Sequence, residues 1–480
     1  MNSFSSITSF FQIDTQVDLA ISGITDDSRS VQGNFLFVAR PGVNCHGLTF
    51  VEDAIKNGAT CILSDKPPPL SIKIPYIHVT NLERVLIKFL FKFYNLDENN
   101  FLFHGITGTN GKTSTAFIAH QIMHKLGRPS CYIGTLGAFV NTNFFPTKGN
   151  STPGIFELFQ LLADHKFNEL TYIFLELSSH ALEQNRLSSL PFTQTMLLNI
   201  YSDHLDYHLT HEEYVQAKLA ILDLPSKYPP IIHTDSAVVQ SSLWAIEHKH
   251  QVFFLSSQDA ARPYFYKKIF NHPETSKIVF QFPSFRSTKN LSLFPEFNLD
   301  NFACAIGLLS NSCSGSELEA LDYTDLELPP GRSEYFICSQ GHVFIDYAHD
   351  PEAMKNILSS LAASYDELVL IFGCGGDRDK LKRPQMMRVA EEFAEEIIFT
   401  SDNNRSESFE MIATDAVGTK QFKNLSIVKS RPDAINQGLR SLNSKNILVI
   451  LGKGHEMFME EGGKFIPFND REYILGTINT

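Results

Sequence analysis

Short apolar runs bounded by turn residues alternate along this chain with segments whose apolar positions recur at helical spacing, a pattern that predicts an α/β protein. Near the N-terminus, Asn34-Phe-Leu-Phe-Val38 reads as a strand and Phe50-Val-Glu-Asp-Ala-Ile-Lys-Asn-Gly58 as a helix. The stretch from Val85 to Tyr94 is apolar but interrupted by Lys88 and Lys92, so it reads as a buried helix rather than a membrane span. A boundary is expected at the acidic, polar Asp97-Glu-Asn-Asn100. From there an apolar strand, Phe101-Leu-Phe-His-Gly-Ile106, enters a glycine-rich turn and then a helix running from Lys112 towards Leu126. Thr171-Tyr-Ile-Phe-Leu-Glu-Leu177 and Thr195-Met-Leu-Leu-Asn-Ile200 are further strands separated by helical patterns, as in a largely parallel sheet. After the break Pro329-Pro330-Gly331, the runs Val343-Phe-Ile345, Leu368-Val-Leu-Ile-Phe372, Glu396-Ile-Ile-Phe399 and Ile447-Leu-Val-Ile-Leu451 alternate with helices and predict a second open α/β sheet.

Length turns this pattern into a domain count: 480 residues, at roughly 150 residues per domain, predict about three domains. The boundaries expected are 1–96, 97–330 and 331–480. Hydrophobic residues make up 43% and charged residues 19% of the chain, a globular balance with enough apolar material, 40 Phe included, to fill such cores. The net charge of −13 removes any long-range attraction to nucleic acid or an anionic membrane, so an anionic ligand must be caught by local groups. The seven cysteines are scattered without a Cys-x-x-Cys pair, which fits a reducing cytoplasm better than a disulfide framework or a zinc site. No basic segment followed by an apolar stretch opens the chain, and no run approaches a membrane-spanning length, so a cytoplasmic protein without membrane insertion is expected.

The chemistry concentrates first at Gly105-Ile-Thr-Gly108-Thr-Asn-Gly111-Lys112-Thr113. A glycine-rich turn between a strand and a helix offers backbone N–H groups and a helix N-terminus to phosphate oxygens. Lys112 would add a point charge and Thr113 a hydroxyl for Mg²⁺. The spacing departs from the usual phosphate loop, with Ile106 where a glycine is expected, so an ordinary glycine-rich turn is the competing reading. Glu176 and His204 strengthen the ligand reading, because one ends a strand and the other follows a strand at the edge where α/β proteins bind ligands, and both are candidate Mg²⁺ ligands. Taken alone, each reads as a solvated loop group or a satisfied histidine, and for a lone histidine that reading is the commoner one.

Nine segments then agree with one family in the family's own order. They are Gly108-Thr-Asn-Gly-Lys-Thr113, Glu176-Leu-Ser-Ser-His-Ala-Leu182, Asp203-His-Leu-Asp-Tyr-His208, Ala217-Lys218-Leu219, Phe297-Asn-Leu-Asp-Asn301, Pro330-Gly-Arg332, Asp346-Tyr-Ala-His349, Gly373-Cys-Gly-Gly-Asp-Arg-Asp379 and Gly452-Lys-Gly-His-Glu456. On these motifs, which span nearly the whole chain, the sequence resembles the Mur ligases, and among them those that add meso-2,6-diaminopimelate, or L-lysine, to UDP-MurNAc-L-Ala-D-Glu. The resemblance implies an N-terminal UDP-binding α/β domain, a central P-loop ATPase with a largely parallel sheet, and a C-terminal Rossmann-like α/β domain. It also implies a monomer acting in peptidoglycan synthesis, with ATP as co-substrate and Mg²⁺ as cofactor. ATP would phosphorylate the D-glutamyl γ-carboxylate, and the incoming amine would attack the acyl phosphate.

The resemblance assigns residues as well. Gly108, Thr109, Asn110, Gly111, Lys112, Thr113 and Ser114 would hold ATP, with Asn301 near the base and Arg332 and Asp346 near the phosphates or ribose. His349 lies in the same stretch and is equally well read as a structural hydrogen-bonding group. Lys112, Glu176, His204 and Lys218 would be catalytic, and Thr113, Glu176, His204 and Lys218 would serve the metal. In the family the lysine at the Lys218 position is N-carbamylated, which converts a cation that would repel Mg²⁺ into an anion that supports it. A surface lysine is the alternative reading. Ser28, within Asp26-Asp-Ser-Arg29, matches the uridine contact, and Ser151, Thr152, Ser178, Gln184 and Arg186 match positions that hold the muramoyl peptide. Arg186 has the strongest independent case, as a partner for phosphate or carboxylate.

Arg378, Asp402, Asn403, Asn404, Arg405, Gly452 and Glu456 would bind the added amino acid. Family members that use diaminopimelate usually carry Asp-Asn-Pro-Arg, whose arginine pairs with the far carboxylate. Here Asn404 stands in place of that proline, and Asn469 stands where an acidic residue is common. Diaminopimelate is therefore the expected substrate, with L-lysine held open. Two other readings stay open at this level: a folylpolyglutamate synthase-like ligase, and a nucleotide-binding scaffold without activity. Retention of Lys112, Glu176, His204 and Lys218 argues against the second.

Overall fold

In the computed structural model, which describes residues 3–42, 45–165, 167, 169–201, 203–273, 275–338, 340–443 and 445–478, each apolar run read above as a strand contributes to one. The chain divides into two units. One comprises Met1–Gly105, Gly127–Thr195 and Leu219–Tyr228, and the other Ile106–Leu126, Met196–Lys218 and Pro229–Thr480.

The first unit begins with four parallel strands in the order Gly23–Thr25, Phe35–Ala39, Ala59–Ser64 and Tyr76–His78. The helix Val51–Lys56 covers them by burying Val51 and Ala54 against Phe37, Ala39 and Ile62. The predicted buried helix runs over Leu82–Phe93, with Lys88 and Lys92 exposed and the apolar side chains inside. Later in this unit Thr171–Glu176 pairs in parallel with Ser130–Gly134, which turns back antiparallel onto Gly137–Val140 and Asn143–Phe145.

In the second unit, Met196 and Leu197 pair in parallel with Ile231–His233, followed by Phe253–Ser256 and Tyr264–Asn271. Ser276–Phe282 and Phe285–Leu291 then add antiparallel. The strands from Tyr264 to Leu291 were not anticipated: in Ser276–Phe282 and Phe285–Leu291 buried positions alternate with partly or fully exposed ones, and in Tyr264–Asn271 only the first three residues are buried. The strand expected at Thr195–Ile200 is displaced: it occupies Phe192–Leu197, and Asn199 instead exchanges hydrogen bonds with Asn110 of the glycine-rich loop.

The last sheet has the order Glu334–Cys338, Gly341–Asp346, Asn446–Leu451, Glu367–Phe372, Glu396–Thr400 and Leu425–Val428. Only its first pair is antiparallel. Successive side chains point to opposite faces, so Phe344, Leu370, Phe399 and Val449 fill one core while Ile345, Ile371, Ile398 and Ile450 fill the other. Burial on both faces explains why these strands are near-continuous apolar runs and so were legible. The α/β class with largely parallel sheets is as expected. Among the described residues no helix is long and apolar enough to cross a membrane.

Candidate active site

The strand Phe101–Thr107 delivers the glycine-rich loop to the start of the helix Lys112–Lys125. Gly111 caps that helix at φ +86°, and a Cβ there would stand 2.3 Å from Asn301 Oδ1, so both conformation and space demand glycine. Lys112 Nζ donates to the carbonyls of Gly108 (2.8 Å) and Thr109 (2.9 Å). Thr113 and Ser114 are buried in the first helical turn, where unpaired N–H groups and the helix dipole favour anions. Thr109 Oγ1 lies 2.9 Å from the Tyr214 hydroxyl and accepts from Tyr201 N at 2.9 Å. Asn199, absent from the expected site, locks the loop by accepting from Asn110 N at 3.0 Å and donating to Asn110 O at 3.1 Å. Its only signal was an amide side chain at the end of an apolar run.

Lys218 is no surface lysine. It is 1% exposed, and Nζ donates to Gly108 O at 2.8 Å and Thr107 Oγ1 at 3.2 Å, with the Tyr214 ring 5.5 Å away. A buried cation is costly unless it is compensated, and here the base of the phosphate loop supplies the acceptors. His204 adopts φ +51° beside Asp203, whose carboxylate accepts from His204 N at 2.8 Å and pairs with Lys382 at 2.6 Å.

Asn110, Gly111, Ser114, Asn301, Arg332 and Asp346 line one pocket together with Asn199, Tyr347 and His349. Asn301 is oriented by Asn298, to whose Oδ1 it donates at 3.0 Å. The Arg332 guanidinium lies 4.4 Å over the Tyr347 ring, and its Nε has no partner among the described residues. Asp346 accepts from Ser333 N (2.6 Å) and Ala348 N (2.7 Å). Burial raises its pKa against the opposing pull of Arg332.

In the first unit, Ser151, Thr152, Glu176, Ser178, Gln184 and Arg186 are linked by hydrogen bonds. Thr152 Oγ1 donates to Glu176 O at 2.7 Å and accepts from Ser178 N at 2.9 Å. Arg186 Nη1 donates to Thr152 O at 3.0 Å and its Nε to Gln184 Oε1 at 2.8 Å. Ser151 Oγ lies 2.9 Å from Thr135 Oγ1. Thr135 also donates to the fully buried Glu176 carboxylate from N (3.0 Å) and Oγ1 (3.1 Å), and the Tyr132 hydroxyl donates to that carboxylate as well. Ser28 opens a single helical turn capped by Asp27, and Asn57 Nδ2 donates to its carbonyl at 2.9 Å. Lys148 reaches the same turn, 3.1 Å from Ser30 Oγ. Nothing in its polar loop marked it beforehand.

Among the described residues no three His, Cys, Asp or Glu side chains stand together as a ready-made metal site. Mg²⁺ binds through one or two protein oxygens and completes its shell with phosphate and water. The Thr113 hydroxyl and the Glu176 carboxylate suit such an ion, and the His204 imidazole suits it less well. Lys218 as an ammonium cannot ligate it, and only the carbamate would.

The residues expected for the added amino acid sit at the C-terminal ends of the parallel strands Glu367–Phe372, Glu396–Thr400 and Asn446–Leu451, where α/β sheets bind ligands. Asn403 Nδ2 donates to Glu456 Oε2 at 2.7 Å, and a Cβ on Gly452, at φ +109°, would meet Asp402 Oδ2 at 2.4 Å. Lys453 lies inside the quoted motif but was passed over. It is fully buried and donates to Glu456 Oε2 (2.7 Å), Phe458 O (2.6 Å) and Asn403 Oδ1 (3.2 Å). Arg405, at φ +51°, donates from Nη1 to Gly376 O at 2.7 Å and faces Glu460 at 3.7 Å. The fields of Glu456, Arg332, Asp402 and Arg378 all reach Tyr347, whose pKa burial raises. A buried clamp holds this loop: Arg383, 1% exposed, pairs with Glu407 and Asp415 at 2.7 Å. Its hydrogen bonds push the Glu407 carboxyl down to about 2.

Asn404 is 2% exposed; its Nδ2 donates to Ser401 Oγ at 3.3 Å, but among the described residues neither its Oδ1 nor its backbone N–H has a hydrogen-bond partner. Asn404→Pro therefore loses no backbone bond and removes an unsatisfied oxygen. It is expected to raise stability by about 1 kcal/mol, read as a higher denaturant midpoint. A lower midpoint would show that the ring does not fit.

Three family models match the chain in succession: the Mur ligase family catalytic domain over residues 20–91, the Mur ligase middle domain over 106–309, and the Mur ligase glutamate ligase domain over 331–454. The chain is 31% identical to the UDP-N-acetylmuramoyl-L-alanyl-D-glutamate–2,6-diaminopimelate ligase of Fusobacterium nucleatum, across 98% of this chain and 97% of that one. It is also 31% identical to the same-named ligase of Coxiella burnetii, across 95% of each. A solved structure of a ligase of that name superposes with a TM-score of 0.69 at 26% identity, covering 100% of this chain and 99% of the other. The MurF ligase of Thermotoga maritima in complex with ADP shares the fold, with a TM-score of 0.60 at 17% identity over 89% of this chain and 93% of that one.

Proposed function

Because the chain belongs to the Mur ligase family, we propose that it joins meso-2,6-diaminopimelate to UDP-MurNAc-L-Ala-D-Glu at the expense of ATP, as a Mg²⁺-dependent monomer of the cytoplasm. The observation that carries the reading is the single pocket in which Asn110, Gly111 and Ser114 of the phosphate loop stand with Asn301, Arg332 and Asp346. That set offers loop N–H groups and a guanidinium to phosphates, and an amide and a carboxylate to the nucleoside.

The chemistry has a definite obstacle. A carboxylate repels nucleophiles and would have to expel oxide, so the D-glutamyl γ-carboxylate first takes the terminal phosphoryl group of ATP. The amine then attacks the acyl carbon, a C–N bond forms, the C–O bond to phosphate breaks, and the amine proton is released. Catalysis of phosphoryl transfer is mostly positioning and charge stabilisation. Lys112 supplies positive charge at the loop. Glu176, His204 and a carbamylated Lys218 would hold Mg²⁺, which when bound neutralises phosphate charge. Arg186, with Ser151, Thr152, Ser178 and Gln184, would hold the muramoyl peptide, and Ser28 with Lys148 the uridine diphosphate end. Arg405 and Arg378 would meet the carboxylates of the amino acid, and Asp402 and Glu456 its ammonium groups.

L-Lysine is the second reading, favoured by the absence of proline at Asn404. Mass spectrometry of the product formed from UDP-MurNAc-L-Ala-D-Glu, ATP, Mg²⁺ and a mixture of both amino acids decides between them. Addition of diaminopimelate is expected. A product carrying lysine alone overturns the substrate assignment, and no phosphate release with any amine overturns the ligase reading.

A further inference from the structure

Part of the wall of this pocket is a buried polar cluster that the ligation chemistry above does not use. His233, Asp235 and Asp300 line the pocket, and His233 is only 8% exposed. Its Nδ1 lies 3.1 Å from Leu198 O, and its Nε2 lies 2.9 Å from the Tyr266 hydroxyl and 3.2 Å from Asp235 Oδ2. The Tyr266 hydroxyl donates to Asp300 Oδ1 at 2.6 Å.

Counting protons settles the state of the ring. A carbonyl oxygen only accepts, so Nδ1 must carry a hydrogen. The hydroxyl of Tyr266 has one proton, already given to a carboxylate, so its oxygen can only accept from Nε2–H. With Asp300 ionised, both ring nitrogens donate, and His233 is an imidazolium that meets the Asp235 carboxylate directly and the Asp300 carboxylate through Tyr266.

The surroundings agree. Burial opposes the charge, but the hydrogen bond and field of Asp235, with the field of Asp300, outweigh it and raise the pKa of His233. Asp235 is held by Ser256 Oγ (2.7 Å) and by N (3.0 Å) and Oγ (2.5 Å) of Ser257. Asp300 is paired with Lys268 at 3.0 Å, and Lys268 also meets Glu296 at 3.0 Å. Tyr201, Tyr266 and Cys304 complete the titratable groups facing the cluster, and burial raises the pKa of each, keeping them neutral.

We propose that His233 is a positioning residue for the nucleotide: as an imidazolium it fixes Asp235 and Asp300 as acceptors on the pocket wall for the donor groups of a bound adenosine, its ribose hydroxyls and exocyclic amine. The inference rests on the ATP reading given above. The sign follows directly. The charged ring is present below its raised folded pKa, so nucleotide affinity is full there and falls as pH rises through that value, when Nε2 loses its proton, Asp235 loses that donor and the Tyr266 hydroxyl is drawn from Asp300 to the bare nitrogen.

The test is ADP binding by titration calorimetry, from about pH 6 to about pH 9, with wild type and His233→Gln. Wild-type affinity is expected to fall about tenfold across the titration, and His233→Gln to bind at the weakened level throughout with a flat profile. A variant with wild-type affinity and wild-type slope overturns the proposal, as does a wild-type profile without slope. Should the variant fail to fold, the ¹⁵N signals of the wild-type His233 ring decide: two protonated nitrogens at neutral pH are expected, and one unprotonated nitrogen overturns the assignment. Wild type that binds no ADP at any pH would remove the nucleotide reading itself and this inference with it.

Discussion

Lys218→Ala is expected to lower phosphate release about a thousandfold, roughly 4 kcal/mol of lost transition-state stabilisation. The side chain is buried against the phosphate loop, bonded to Thr107 and Gly108, so whatever charge it carries acts where the phosphoryl group moves. If that charge is the carbamate's, Lys218→Arg restores the cation but not the activity, since arginine forms no such carbamate. Depleting dissolved CO₂ should then slow the wild type, and bicarbonate should restore it. If the lysine acts as a plain cation, arginine rescues substantially and CO₂ has no effect. Because removing a buried charge also disturbs its partners, ADP binding and the unfolding midpoint of the variant need to be measured alongside the rate. Full activity in Lys218→Ala would end the catalytic assignment.

The second large effect is expected at Arg405, where replacement by methionine should reduce kcat/KM for meso-diaminopimelate about a hundredfold, the scale of a lost charge-assisted pair. The backbone of Arg405 is pinned by the hydrogen bonds Arg405 N to Glu460 O (3.0 Å) and Gly462 N to Arg405 O (2.7 Å). The guanidinium is oriented by Gly376 O and Glu460 through Nη1 and Nε, contacts in which Nη2 takes no part. Lysine lacks the far carboxylate that such a group would grip, so any residual turnover of L-lysine should be unaffected. Equal losses for both amino acids would point to a general collapse of the loop and remove the specificity role. The KM for ATP provides the control, because the nucleotide pocket does not contain Arg405.

Several parts of the site were legible because they are local. The phosphate loop is a contiguous segment in which Gly111, Lys112 and Thr113 each have a stereochemical reason to follow one another. The four inner strands of the last sheet stood out because burial on both faces makes them near-continuous apolar runs, whereas the edge strands Glu334–Cys338 and Leu425–Val428, only partly buried, did not. The antiparallel strands from Tyr264 to Leu291 escaped notice because one face is polar. Asn199, Lys148 and Glu460 escaped for a different reason: each acquires its role from a partner across the fold, and Lys453, though inside a family motif, does so through Asn403.

The chain's own order of residues determined the α/β alternation, the phosphate loop and the motifs that identify the family, since these depend on periodicity and on spacing along a few consecutive positions. Tertiary structure alone decided that Lys218 is buried on that loop, that Arg383 and Lys453 brace the segment carrying Arg405, and that His233 meets Asp235 directly and Asp300 through Tyr266. Such facts rest on through-space electrostatics and on the proton count of partners tens of residues apart, quantities that have no counterpart in a linear pattern of apolar and polar positions.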